Sequence, residues 1–213
     1  MRGVLITLEG IDGSGKSTVL RGITGKLKDG LPDRKLTFTA EPTTRSRPGQ
    51  VLREVFLKDG HSMDAFELEE LFLFLADHAD HLAATVRPSL EEGHIIISDR
   101  YSDSTAAYQG ATLQGIIPDP VAWIRSTCQP WDIIPDLTLL FSLDPDLAME
   151  RIRQRSGREK FERADFLRQV DENFKRLAET EPERFVVLDA SRDAERISEE
   201  TLRAILNLVR SKG

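Results

Sequence analysis

The sequence predicts an α/β fold. Short runs rich in β-branched residues alternate with longer segments of helical pattern. Five such runs occur in order, and a glycine-rich turn joins the first of them to the first helix. Strands separated by helices imply a five-stranded parallel sheet covered on both faces. A chain of 213 residues suits one domain spanning 1–213 and buries a sizeable core.

The elements follow in order. Val4, Leu5, Ile6, Thr7 and Leu8 form a run of aliphatic and β-branched residues, the pattern of a buried strand. Residues 16–28 read as a helix, 36–40 as the second strand and 47–57 as a further helical segment. A long helix opens at Asp64 and reaches Val86, where Arg87-Pro88 ends or kinks it. Its middle, residues 71–76, is apolar on every face, so burial on several sides is expected, by sheet, ligand or a partner subunit. Residues 94–98 form the third strand, ending at Asp99. A helix at 121–128 and a strand at 137–143 come next. Pro145 starts a helix at its first turn, where proline is tolerated. A basic stretch fills 151–163, a helix follows to Ala178, the last strand covers 184–188 and the last helix 194–209.

Composition narrows the function. The 29 Lys+Arg against 36 Asp+Glu give a net charge of −7, which argues against nucleic-acid binding through bulk charge. One cysteine, Cys128, leaves no internal disulfide and fits a reducing compartment, hence a cytoplasmic location. The N-terminal apolar run is too short for a signal peptide, and no run approaches the ~18 residues of a membrane span.

The strongest motif is Gly10-Ile11-Asp12-Gly13-Ser14-Gly15-Lys16-Ser17, followed by Thr18. It fits G-x-x-x-x-G-K-[ST] and sits between a strand and a helix, as a phosphate-binding P-loop must. Glycines let the backbone curl so that N–H groups converge on phosphate oxygens, and the helix N-terminus adds positive potential. Lys16 is expected on the β- and γ-phosphates of ATP and Ser17 on Mg²⁺. Asp12 is unusual in an anion-binding loop. It either faces a second substrate or stabilises the turn by bonding its own backbone. The strand ending at Asp99 puts a carboxylate where a P-loop protein handles magnesium, and Arg100 beside it suits a phosphate clamp. Arg151, Arg153, Arg155, Arg158, Lys160 and Arg163 cluster around Ser156-Gly157. A lid closing over ATP with cationic fingers is a sharper reading than a solvated helix face. His78 and His81, with Asp77 and Asp80, have a spacing that invites a metal, but one helical pair supplies too few ligands. Cys128 reads as buried filler.

In these motifs the chain resembles the thymidylate kinases over nearly its whole length. Residues 9–18 carry the family's P-loop form, Glu41-Pro42 matches the Glu-Pro after its second strand, and residues 99–110 resemble its D-R-Y-x-x-S-x-x-A-Y-Q signature. Pro135-Asp136-Leu137-Thr138 and Leu188-Asp189-Ala190 also fall in place. The resemblance implies a P-loop kinase three-layer sandwich and the reaction ATP + dTMP → ADP + dTDP, with Mg²⁺ and a homodimer formed through the 64–86 helix. It implies that Asp12 faces the sugar 3′-hydroxyl, Phe74 stacks on thymine, Arg100 holds the acceptor phosphate, Tyr108 lies by the deoxyribose and Asp99 helps place Mg²⁺. Glu41, Ser104, Thr105 and Gln109 complete the dTMP side. Gly13 stands where another subtype has Arg, so the lid residues Arg153, Arg155 and Arg158 are expected to supply the catalytic charge.

The chain departs from the family pattern in four places. Ala40 replaces the Arg before Glu-Pro, with Arg45 or Arg47 available to restore the charge. Thr43-Thr44-Arg45 replaces Gly-Gly-Thr. His78 replaces an Arg that contacts the thymine O4 carbonyl; an imidazole N–H can donate one bond there but cannot fork. In the lid, Lys160 stands near the place of a further Arg. The other readings are a kinase for a different pyrimidine monophosphate such as dUMP, and a non-catalytic ATP-binding switch. The switch need not keep the acceptor motif or the basic lid, and both are present.

Overall fold

The structure, a computed structural model, describes residues 3–56, 67–154 and 164–212. Five strands, β1 (Val4–Glu9), β2 (Leu36–Ala40), β3 (Ile95–Asp99), β4 (Leu137–Ser142) and β5 (Phe185–Asp189), form one sheet in the order β2-β3-β1-β4-β5. All pairings are parallel. β1 lies at the centre and every one of its residues is buried, Thr7 and Glu9 included. The strand order reverses direction at β1, and the crevice beyond the carboxyl ends of β1 and β3 is where such sheets bind ligands.

The helices are α1 (Lys16–Gly30), α2 (Arg47–Val51), α3 (Glu67–His81), α4 (Arg87–Glu91), α5 (Ser102–Thr112), α6 (Pro120–Cys128), α7 (Pro145–Arg153), α8 (Ala164–Thr180) and α9 (Ala194–Ser211). α1 packs with α9, while α5 packs with α3, α6 and α8. Strand alternation sorts the side chains of β1. Val4, Ile6 and Leu8 join the main apolar core with Val19 and Ile23 of α1. Leu5, Thr7 and Glu9 point the other way, toward α5 and its neighbours.

One expectation about helices changes. Pro88 does not end the long helix. A π-helical turn, Leu82–Val86, follows α3, and Pro88 sits in the first turn of α4, where its missing N–H costs nothing. Of the burial expected for residues 71–76 from sheet, ligand or a partner subunit, this chain supplies the part from its own core, and Phe74 lines a cleft. Leu71 and Leu75 are buried, whereas Phe72 is 54% exposed and Ala76, Ala79 and Ala83 are exposed with it. The expected start at Asp64 lies outside the described residues. α5 carries no helical assignment in the sequence reading, because Ser102 to Gly110 are all buried and show no polar face.

Candidate active site

The carboxyl ends of β1 and β3 open into a cleft of about 580 Å³. Gly13, Gly15, Lys16, Ser17 and Thr18 line it, with Asp12, Asp99 and Arg100 beside them. The loop curls because Gly10, Gly13 and Gly15 take positive φ values of 133°, 82° and 93°. At Gly13 a Cβ would stand 2.6 Å from the Ala148 carbonyl oxygen on α7. Gly10, Ile11 and Ser14 serve the loop from behind. Lys16 Nζ donates to the Gly10 carbonyl at 2.7 Å, the Ile11 carbonyl at 3.0 Å and Ser14 Oγ at 3.2 Å. Burial, then the nearby Arg100 charge, pushes the Lys16 ammonium down to about 8 against the pull of Asp12, Asp99 and Glu9.

Ser17 Oγ donates to Asp99 Oδ2 at 2.7 Å. Two hard oxygen donors thus meet at the cleft wall beside the phosphate loop. No group of three His, Cys, Asp or Glu suited to a metal occurs among the described residues, His78 and His81 included. A pair of oxygens fits Mg²⁺, which keeps several waters and takes few protein ligands beside substrate phosphates.

Arg100 ties the loop to the start of α5. It has φ 72°, a left-handed value uncommon for a side-chain-bearing residue, at the turn between β3 and α5. Its Nη1 donates to the Gly10 carbonyl at 3.1 Å and Ser104 Oγ at 2.9 Å. Its Nη2 donates to Asp12 Oδ1 and to the Tyr108 hydroxyl at 3.0 Å. Tyr108 also accepts from the Asp12 backbone N–H and donates to Asp12 Oδ2, both at 3.0 Å. Burial opposes the charge on Asp12, yet Arg100 and then Lys16 hold its carboxyl below the ordinary range. Of the two readings of Asp12, the structure has its carboxylate bonded to side chains of the D-R-Y segment and not to its own turn.

Phe74 of α3 lines the same cleft, with Glu41, Tyr101, Ser104, Thr105 and Gln109. Gln109 is fully buried. Its Nε2 donates to Glu70 Oε1 at 3.2 Å, and its Oε1 has no hydrogen-bond partner among the described residues.

A family model described as thymidylate kinase matches residues 8–201, which include both the cleft's phosphate loop and its D-R-Y segment. The chain belongs to the thymidylate kinase family. It is 48% identical to a probable thymidylate kinase of Methanococcoides burtonii over 211 residues, 99% of this chain and 100% of that protein. A probable thymidylate kinase of Methanosarcina acetivorans is 47% identical over 98% of each chain. One from Natronomonas pharaonis is 45% identical over 97% of this chain and 99% of that protein.

Set within the thymidylate kinase family, the departures acquire a geometry. His78 does not line the cleft. Its ring is 1% exposed, with Nδ1 2.8 Å from Glu41 Oε1 and Nε2 3.0 Å from Asp132 Oδ1. Both ring nitrogens are spent on buried carboxylates, so no N–H remains for a base carbonyl. Burial works against the charge, but Glu41 and Asp132 push the imidazole up to about 10. His81 Nδ1 shares the same Glu41 oxygen at 2.6 Å. Burial raises Glu41, and the two histidines override it and hold the carboxyl below its usual range.

Arg45 and Arg47 are exposed and neither lines the cleft. Among the described residues the cations that do, besides Lys16 and Arg100, are Arg21 and Arg53. Sequence reading missed both. Arg53 follows the buried Leu52 on the π-helical turn Leu52–Phe56 that continues α2, and its guanidinium donates to the Pro42 carbonyl and, at 3.4 Å, to the Thr43 carbonyl. The spacing from buried Gly49, three and four residues earlier on a helix, was the available signal. In the lid, Arg153 is exposed at the end of α7 and does not line the cleft. Arg155 and Arg158 lie outside the described residues. Arg151 Nη1 donates to the Ala190 carbonyl at 3.2 Å and to the Gly13 carbonyl at 3.4 Å, tying α7 to the phosphate loop.

Proposed function

We propose that this chain transfers the γ-phosphate of ATP to dTMP, giving ADP and dTDP. The observation that carries the reading is the joining of Asp12 of the phosphate loop to Arg100 and Tyr108 of the D-R-Y segment in one cleft. A kinase for a second phosphate-bearing substrate needs that arrangement; a nucleotide switch does not.

The acceptor needs no general base. A monophosphate with a second pKa of about 6 is mostly dianionic near neutral pH and already a nucleophile. What the reaction needs is in-line alignment and relief of repulsion between two polyanions. Lys16 and the loop N–H groups hold the donor phosphates, and Arg100 with Arg53 holds the acceptor phosphate, Arg53 standing in for the charge absent at Ala40. Ser17 and Asp99 would hold Mg²⁺, which would offset the charge of the donor phosphates. Asp12 and Tyr108 take the sugar, Phe74 offers a stacking face, and Gln109 presents the amide that reads the base edge. Ser104 and Thr105 complete the acceptor wall. Arg153, Arg155 and Arg158 supply lid charge and exclude water on closure.

The apolar stripe of Phe72, Ala76, Ala79 and Ala83 supports a homodimer through α3. No helix among the described residues is long and apolar enough to cross a membrane. The single cysteine, buried in α6, supports the reducing cytoplasm as the working compartment.

The test is ADP release from Mg·ATP with dTMP, dUMP, dCMP, dGMP and AMP offered one at a time. Strong stimulation by dTMP alone is expected. Equal use of dUMP removes the thymine assignment, and no stimulation by any acceptor removes the kinase.

A further inference from the structure

Glu9 is the last residue of β1 and is fully buried beneath the phosphate loop. Its Oε2 accepts from Ser104 Oγ, and its Oε1 has no hydrogen-bond partner among the described residues. The proposed mechanism gives it no task. Yet a buried acid under a triphosphate site is costly unless it is neutral or well paired.

The geometry links it to the acceptor clamp. A serine hydroxyl has one proton and two lone pairs. Ser104 commits its proton to Glu9, so only lone pairs remain on the side where Arg100 Nη1 donates at 2.9 Å. Without Glu9 the hydroxyl is free to turn its proton toward the guanidinium and lose that bond. We propose that Glu9 is a positioning residue that acts through Ser104 on Arg100, and that it does so as a neutral carboxyl.

One hydrogen bond is too little to keep a carboxylate ionised at this depth. The groups facing Glu9 are Asp103 and Ser104 on α5, Arg100 at the start of that helix and Lys16 in the phosphate loop. Burial, then the Asp103 carboxylate, raises Glu9 to about 8; Ser104, Arg100 and Lys16 pull the other way and do not prevail. At pH 7 the carboxyl therefore carries its proton, and the Arg100 charge is left for the acceptor phosphate. Above pH 8 a carboxylate forms behind the guanidinium and competes with the phosphate for it. Lys16 titrates in the same region, but it serves the donor, so its effect falls on ATP.

The inference rests on Arg100 holding the acceptor phosphate, so Arg100→Gln is measured beside Glu9→Gln. KM for dTMP and for ATP is followed from pH 6.5 to 9.5. In the wild type, KM for dTMP should rise about tenfold by pH 9, one unit past the ionisation of Glu9. Glu9→Gln, a neutral isostere that still accepts from Ser104, should match wild type at pH 7 and stay flat to within about twofold. Glu9→Ala, if it folds, should raise KM for dTMP at pH 7 and leave KM for ATP unchanged. A Glu9→Gln profile that rises as the wild type does overturns the proposal, as does an equal loss for both substrates. If Arg100→Gln leaves KM for dTMP unchanged, it is the placement of the acceptor phosphate that fails.

Discussion

The imidazole of His78 is held against the carboxylate of Glu41, Nδ1 to Oε1 at 2.8 Å, with Asp132 on its other nitrogen. Where the family resemblance puts a base-reading arginine, this chain has a buried cation between two carboxylates. Breaking such a cluster by removing the cation costs about 3–5 kcal/mol, because two buried carboxylates lose the charge between them and Glu41 keeps only His81. His78→Gln should therefore lower stability far more than it alters the choice between dTMP and dUMP. The folded-state value near 10 lies above the ordinary 6.5 of histidine. The stabilisation is thus complete below pH 6.5 and is lost as pH rises through about 10. Urea unfolding of wild type and His78→Gln across that window should show a gap that narrows toward pH 10. A gap constant with pH, or a large swing in base choice, contradicts this placement.

Lys16 sits near 8 because it is buried and close to Arg100. A triphosphate beside it supplies the countercharge it lacks and raises that value. Binding of Mg·ATP at pH 8 should then take up protons, and binding at pH 6.5 should not. Calorimetry in buffers of different ionisation enthalpy reads the uptake. Lys16→Met should cut the uptake, leaving at most the share of Glu9, and lower kcat by about 10²–10³ with the fold intact. Uptake undiminished in Lys16→Met would have to come from another group.

Arg53 lines the cleft and Arg45 and Arg47 do not. Arg53→Gln should raise KM for dTMP by about tenfold, the cost of one charge-assisted hydrogen bond, while Arg45→Gln and Arg47→Gln stay near wild type. The reverse ranking in steady-state kinetics would return the missing charge to the exposed pair.

The parts of this molecule visible in its sequence are those where one residue and its neighbours suffice. The β-branched run of β1, the glycines that turn the loop and the carboxylate ending β3 are local patterns, and the five strands lie within a residue or two of where the sequence puts them. Less was visible where burial removes the pattern or the partners are distant. α5 is made of Ser, Thr, Asp, Ala and Gln buried all round, so no polar face marks it as a helix. Asp132, which with Glu41 keeps His78 charged, lies 54 residues away on another segment. Pro88 reads as a terminator, and only the π-turn before it shows how the helical path continues.

Gly13 has φ +82°, and a Cβ there would meet the Ala148 carbonyl oxygen at 2.6 Å. α7 therefore occupies the space that a side chain on the loop would need. Gly13→Ala should lower stability by about 1–3 kcal/mol through backbone strain and crowding. Thermal unfolding checks it. An unchanged midpoint would mean that α7 yields, and that an arginine in the loop is compatible with this lid arrangement.

The central claim is transfer between two nucleotides held in one cleft. It is tested most directly by incubating the protein with Mg²⁺, dTMP and ATP labelled in the γ-phosphate, and locating the label. Label is expected in the β-phosphate of dTDP, with little free phosphate while dTMP is present. Label found only in inorganic phosphate, at a rate indifferent to dTMP, would contradict it.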